Sequence, residues 1–162
     1  MKRIHMKTFA RLVRRVMETL PESFQPYLDN LVVDVLPEPT RDMLRSIGFT
    51  DAEIDSGETA FGLFDPLPLP LEGLDEAEVA PHRLLIFKRP LEEAFPEART
   101  LVIEIRKTVI HELAHHFGWT DEELQAFDDK ADPFGDALVE ELLGILERGE
   151  ARRRHGGEKS RE

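Results

Sequence analysis

Met6, Phe9, Leu12, Val13, Val16, Met17 and Leu20 recur at steps of three and four residues, with Arg11, Arg14 and Arg15 set between them. That period predicts an amphipathic helix over 5–20, stopped by Pro21, with an apolar stripe for the core and a solvated basic back. The pattern then changes. Leu31-Val32-Val33-Asp34-Val35-Leu36 is a β-branched run closed by Pro37 and Pro39, and reads as a strand inside a sheet. Thr40 to Ile47 predicts a short helix ended by Gly48, and Asp51 to Thr59 reads as acidic and irregular. A second strand is expected over Thr59–Asp65, with Gly62 in its interior as a mark of close backbone approach. Pro66, Pro68 and Pro70 at alternate positions exclude a central strand there and place that loop on an edge or over a groove. Residues 71–81 read as an acidic linker, and Arg83 to Lys88 as the most hydrophobic strand, terminated by Pro90.

The second half is helical by period. A long helix is predicted over Ala98–Phe117, ended by Gly118, followed by a short one over Asp121–Phe127. Phe134, Leu138, Leu142, Ile145 and Leu146 define a last helix ending at Leu146. One domain over 1–147 with a charged, disordered tail over 148–162 is the expected organisation, and 162 residues suffice for a core without staples.

Composition narrows the chemistry. With no cysteine, disulfide frameworks, thiolate zinc fingers, thiol nucleophiles and iron–sulfur clusters are excluded, and any metal has to be held by histidine and carboxylate. No apolar run approaches the roughly 18 residues of a membrane span. The basic amino terminus lacks the apolar stretch of a secretory signal, so a cytoplasmic location is expected. Charge is uneven: residues 1–20 carry six Lys/Arg against one acid, residues 148–162 six against three, and the segment between nine against twenty-nine. A body this acidic repels phosphate backbones and attracts cations or basic peptides, so no nucleic acid and no membrane is expected as partner.

One stretch carries a reaction: His111-Glu112-Leu113-Ala114-His115-His116-Phe117-Gly118-Trp119-Thr120-Asp121. On a helix, His111 and His115 share a face and can reach one ion at about 2.0–2.1 Å. Glu112 is about 100° round from His111, unsuited to join them as a ligand but placed to act on a water at the ion, as a general base must. The apolar Val102, Ile105, Val109, Ile110, Leu113 and Phe117 lie on the opposite side, with Arg106 among them as a candidate structural salt bridge. Gly118 can adopt the left-handed conformation that reverses the chain and bring Asp121 back as a third ligand, with Glu140 from the later helix as the rival. Two His and one carboxylate leave a position for water, the arrangement of a catalytic zinc. A chance HExxH arises in about three of a hundred such sequences, and in far fewer with the glycine and aspartate at these offsets. His116 is expected outside the ligand set and Trp119 as packing beside the turn. His5, His82 and His155 are expected at the surface.

VIHELAHHFGWTDEEL resembles the active-site segment of the small bacterial minimal zincin metallopeptidases, whose helix reads HExxHHFGxxDExx and whose HExxHxxGxxD pattern is similar to that of metzincins with the last His replaced by Asp. The resemblance extends more weakly to TAFGLFD, in the place of the family's edge strand, and to Leu84–Phe87, in that of a central strand, covering roughly residues 8–130. It implies zinc held by His111, His115 and Asp121, Glu112 as base, and a compact α+β minimal zincin-like fold with a small mixed sheet packed on the active-site helix. Two departures stand out: all four methionines, Met1, Met6, Met17 and Met43, precede that helix, so no Met-turn lies below the metal, and the 134–146 helix exceeds a minimal unit. The expected reaction is hydrolysis of a peptide or protein substrate, with an extended peptide pairing along Phe61, Gly62, Leu63 and Phe64. The alternative is a silent metal-holding domain that binds a partner. Tyr27, the sole tyrosine, is too far upstream to be named as an oxyanion donor.

Overall fold

The computed structural model describes residues 4–65, 82–130 and 135–158. The prolines of the 66–70 loop and the 71–81 linker lie outside the described residues. Helix α1 spans Met6–Glu18, strand β1 Leu31–Leu36, α2 Arg41–Ser46, α3 Asp51–Asp55, β2 Gly62–Asp65, β3 His82–Phe87, α4 Lys88–Ala94, α5 Ala98–His116, α6 Asp121–Asp128 and α7 Asp136–Glu158, with a 3-10 turn over Glu22–Tyr27. The architecture is α+β, with one small mixed sheet, as the resemblance implies.

The sheet order is β1-β3-β2, with β1 parallel and β2 antiparallel to β3. Leu84, Leu85, Ile86 and Phe87 of β3 are all buried, which is what a run apolar on both faces requires of a central strand. β1 was expected inside the sheet and is an edge strand instead. Its Asp34 turns outward to bridge Arg83 on β3 at 2.9 Å, and Val32 is 40 % exposed, so the run is less completely apolar in its surroundings than its composition suggests. β2 is the opposite edge and is shorter than the 59–65 strand expected, although the Phe61 carbonyl still accepts from the Phe87 amide at 2.9 Å.

Local chemistry explains the other departures. The acidic 51–59 stretch is not irregular throughout: Thr50 and Glu53 form a reciprocal capping box that starts α3, and Arg41 and Arg45 tie Asp51 back to α2. β3 ends one residue early because Lys88 opens α4. Pro90 is the third residue of that helix, where no intrahelical donor is needed, so the proline expected to end a strand sits in the first turn of a helix. The Lys88–Glu92 ion pair is buried in α4, and the Ile4 amide donates to Glu92 at 3.0 Å, which docks the start of the chain.

α5 is the axis of the molecule. It packs on β2, β3, α1, α4 and α7, and its Leu101, Val102, Ile105, Val109, Ile110, Leu113 and Ala114 are buried, as is Arg106. α7 overruns its expected end at Leu146 by twelve residues, and the expected disordered tail is helical to Glu158. The overrun includes Gly149, which packs on α1. A Cβ there would stand 2.3 Å from Thr8 Oγ1, so the missing side chain lets α7 press directly onto α1 a full turn past the apolar stripe. Arg15 bridges Glu141 at 2.6 Å further along the same contact, so the two helices run antiparallel. No helix among the described residues is long and apolar enough to cross a membrane.

Candidate metal centre

The carboxy-terminal end of α5 carries the site, and the way it ends sets the geometry. Gly118 has φ +82, the Trp119 amide donates to the Ala114 carbonyl at 2.9 Å, and the Gly118 amide donates to His115 at 3.2 Å. This is a complete Schellman stop, available because glycine tolerates the left-handed conformation. Two residues later Thr120 caps α6, its hydroxyl accepting from the Glu123 amide at 3.1 Å. Trp119 clamps the reversal by stacking on Phe24 at 4.9 Å, with the edge of Phe127 at 6.1 Å. Leu124 and Phe127 bury one side of α6 against this cluster.

The chain therefore folds back along α5, and two carboxylates meet the two imidazoles. Asp121 Oδ1 is 3.7 Å from His115 Nε2, and Asp128 Oδ2 is 3.3 Å from His111 Nε2. Asp121 and Asp128 are seven residues apart on α6, which returns them to the same face, opposite the i,i+4 pair of α5. Asp128 is not among the residues that the sequence pattern singles out. The seven-residue repeat of aspartate on an amphipathic helix was the signal that could have found it. As the side chains stand, His111, His115 and Asp121 are not drawn to one point: among the described residues, no group of three His or acidic side chains is close enough to hold an ion. The donors nevertheless fit zinc in kind, with two imidazoles and hard carboxylate oxygens, and the fully exposed Asp121 side chain is free to rotate toward His115.

Glu112 points elsewhere. Its Cγ lies beneath Gly62 of β2, and burial pushes its carboxyl above the ordinary glutamate range, against the charge of His115, which pulls it down. His116 is outside the His111/His115 pairings, stacked on Phe64 with ring centroids 3.5 Å apart, and burial and the neighbouring His82 lower its pKa. His82 was expected at the surface but is half-buried beside Phe64 and His116. Phe61, Leu63 and Phe64 are half-buried and Gly62 is buried, so the expected peptide-pairing strand lies against α5 at the level of Glu112. Glu140 does not approach the histidines. It bridges Arg99 at 2.7 Å, about three turns of α5 away.

The family model for zincin-like metallopeptidases matches residues 28–131, more than half of the chain and all of this site. None of the curated proteins matches it.

Proposed function

The chain belongs to the zincin-like metallopeptidase family, and from that premise we propose that it is a zinc-dependent peptidase with His111, His115 and Asp121 as ligands and Glu112 as general base. The observation that carries the reading is the split of roles on α5: the imidazoles face the carboxylates of α6, whereas Glu112, one residue on from His111, faces the edge strand where an extended peptide would pair. Zinc, when bound, supplies a Lewis acid that polarises the scissile carbonyl and lowers the pKa of a water toward 7. Glu112 would accept a proton from the attacking water on a carboxylate oxygen and return it to the leaving nitrogen. A carboxyl held above its usual range by burial suits both halves of that exchange. Gly62 lets β2 sit closely against the base, and Phe61, Gly62, Leu63 and Phe64 form the strand along which the substrate would pair.

The test is Glu112→Gln. It keeps the fold and most of the zinc, because Glu112 is no ligand, while cleavage of a peptide library falls by on the order of 10² or more. A variant that cleaves as well as the parent sinks the assignment of the base. Loss of zinc in His111→Ala and His115→Ala, read by metal analysis, tests the ligands independently of turnover.

A further inference from the structure

The contact between His111 and Asp128 is unexplained by the three-ligand reading. At 3.3 and 3.4 Å from the two carboxylate oxygens to Nε2, it is long for a charged hydrogen bond, which closes to about 2.7–2.9 Å. It matches a different length. Donors bound at about 2.0–2.1 Å around a tetrahedral ion stand about 3.3–3.4 Å from one another. The nitrogen is also informative. A carboxylate that merely orients a metal-bound histidine sits on the ring nitrogen turned away from the ion. Asp128 meets His111 at Nε2, the same atom at which Asp121 meets His115, so neither carboxylate is placed at the Nδ1 side of its ring.

Burial separates the two acids. Asp121 is fully exposed, and ordering it at an ion costs side-chain freedom, whereas the Asp128 side chain is only 25 % exposed. Asp128 directly follows buried Phe127, which the Phe24 and Trp119 rings hold.

We propose that Asp128 is a fourth protein donor to the ion, facing His111 as Asp121 faces His115, so that two imidazoles and two carboxylates neutralise a divalent cation and Asp128 contests the position that a water needs. The inference rests on the zinc-peptidase reading above. It adds a built-in control to it: α6 holds a carboxylate that has to yield the fourth position before the ion can present a water.

Cobalt(II) substituted into the purified protein tests this without recourse to turnover. Affinity is read by competition with a chromophoric chelator for the parent, Asp128→Ala and Asp128→Asn. Access to the fourth position is read from the change in the visible spectrum on adding azide. We expect both variants to bind cobalt at least about tenfold more weakly than the parent, and azide to perturb their spectra at concentrations that leave the parent spectrum unchanged. Circular dichroism confirms that the variants are folded, and the near-isosteric Asn variant guards against loss of α6. If the parent binds cobalt and both variants match it in affinity and azide response, Asp128 is no donor and the metal centre stands without it. If the parent binds neither cobalt nor zinc, the underlying reading falls as well.

Discussion

Gly62 on β2 lies directly over Glu112 on α5: a Cβ at position 62 would stand 3.3 Å from Glu112 Cγ, 3.2 Å from the Leu85 carbonyl oxygen and 3.1 Å from Thr108 Cγ2. Edge strand and proposed base are thus in contact through the one residue that has no side chain to separate them. A peptide paired to β2 would run past Glu112 at a distance set by that contact.

Gly62→Ala should therefore cost more activity than stability. The added methyl forces strand and helix apart by a few tenths of an ångström, with a stability loss on the order of 1 kcal/mol. Displacing the base relative to the substrate strand should lower kcat/KM by about tenfold or more. Thr108→Ser removes the nearest obstructing methyl while keeping a hydroxyl able to reach the Glu104 carbonyl, and should restore part of the loss in the double variant. Equal kcat/KM in Gly62→Ala and parent would separate β2 from the reaction.

Glu112 also makes a stability prediction, for the metal-free protein. Its carboxyl is raised above its unfolded value of about 4.3 by burial, so the folded state holds that proton more tightly than the unfolded state. The resulting stabilisation is fully present below the unfolded pKa and is lost as pH rises through the folded pKa. At pH 7 the buried carboxylate is a net cost, and Glu112→Gln should melt at a higher temperature than the parent. The difference should vanish near pH 4. Thermal melts of both proteins in chelator, from pH 4 to pH 7.5, check it, and a parent that melts higher at pH 7 would contradict it.

Much of the candidate site was legible because its logic is local. The i,i+4 histidines, the glycine stop and the aspartate three residues beyond need only helix geometry and the conformational freedom of glycine. The core of α5 followed from apolar period, whereas the central position of Leu84–Phe87 was implied by the family resemblance. What escaped depends on contacts between segments far apart in sequence. Asp128 is seventeen residues from His111 and reaches it only because α6 folds back. His82 of β3 meets His116 of α5, and Thr8 of α1 meets Gly149 of α7. Pro90 misled because the same residue that ends a strand also suits the first turn of a helix.

The Thr8–Gly149 contact holds α7 against α1 beyond its apolar stripe, and it can be broken. A methyl at position 149 would meet Thr8 Oγ1 at 2.3 Å, Cγ2 at 2.6 Å and Cβ at 3.0 Å. Alanine gains about 1 kcal/mol of helix propensity over glycine, but the overlap with a branched side chain outweighs it, since overpacking typically costs about 1–3 kcal/mol. Gly149→Ala should lower Tm in the parent and much less in a Thr8→Ala background, a coupling on the order of 1 kcal/mol in a double-mutant cycle. Additive effects would mean that the helices do not meet there.

Substrate charge follows from where the acids lie. Residues 21–147 carry twenty-nine acids against nine bases, and α6, the helix facing the imidazole pair, contributes Asp121, Glu122, Glu123 and Asp128 with no Lys or Arg. The basic residues of the first twenty positions lie mostly on α1, which packs against β1, α5 and α7, at the other edge of the sheet from β2. A zinc ion neutralises two of the α6 charges at most, which leaves Glu122 and Glu123 exposed beside the site. The field along β2 should thus favour peptides carrying Lys or Arg over those carrying Asp or Glu. Because these acids are in solvent, the preference should shrink as salt rises, the screening length falling from about 10 Å at 0.1 M to about 3 Å at 1 M. Profiling a peptide library at low and high salt measures it, and Glu122→Gln with Glu123→Gln should weaken the preference at low salt only. A preference for acidic peptides, or one indifferent to salt, would overturn the steering argument while leaving the assignments of base and ligands untouched.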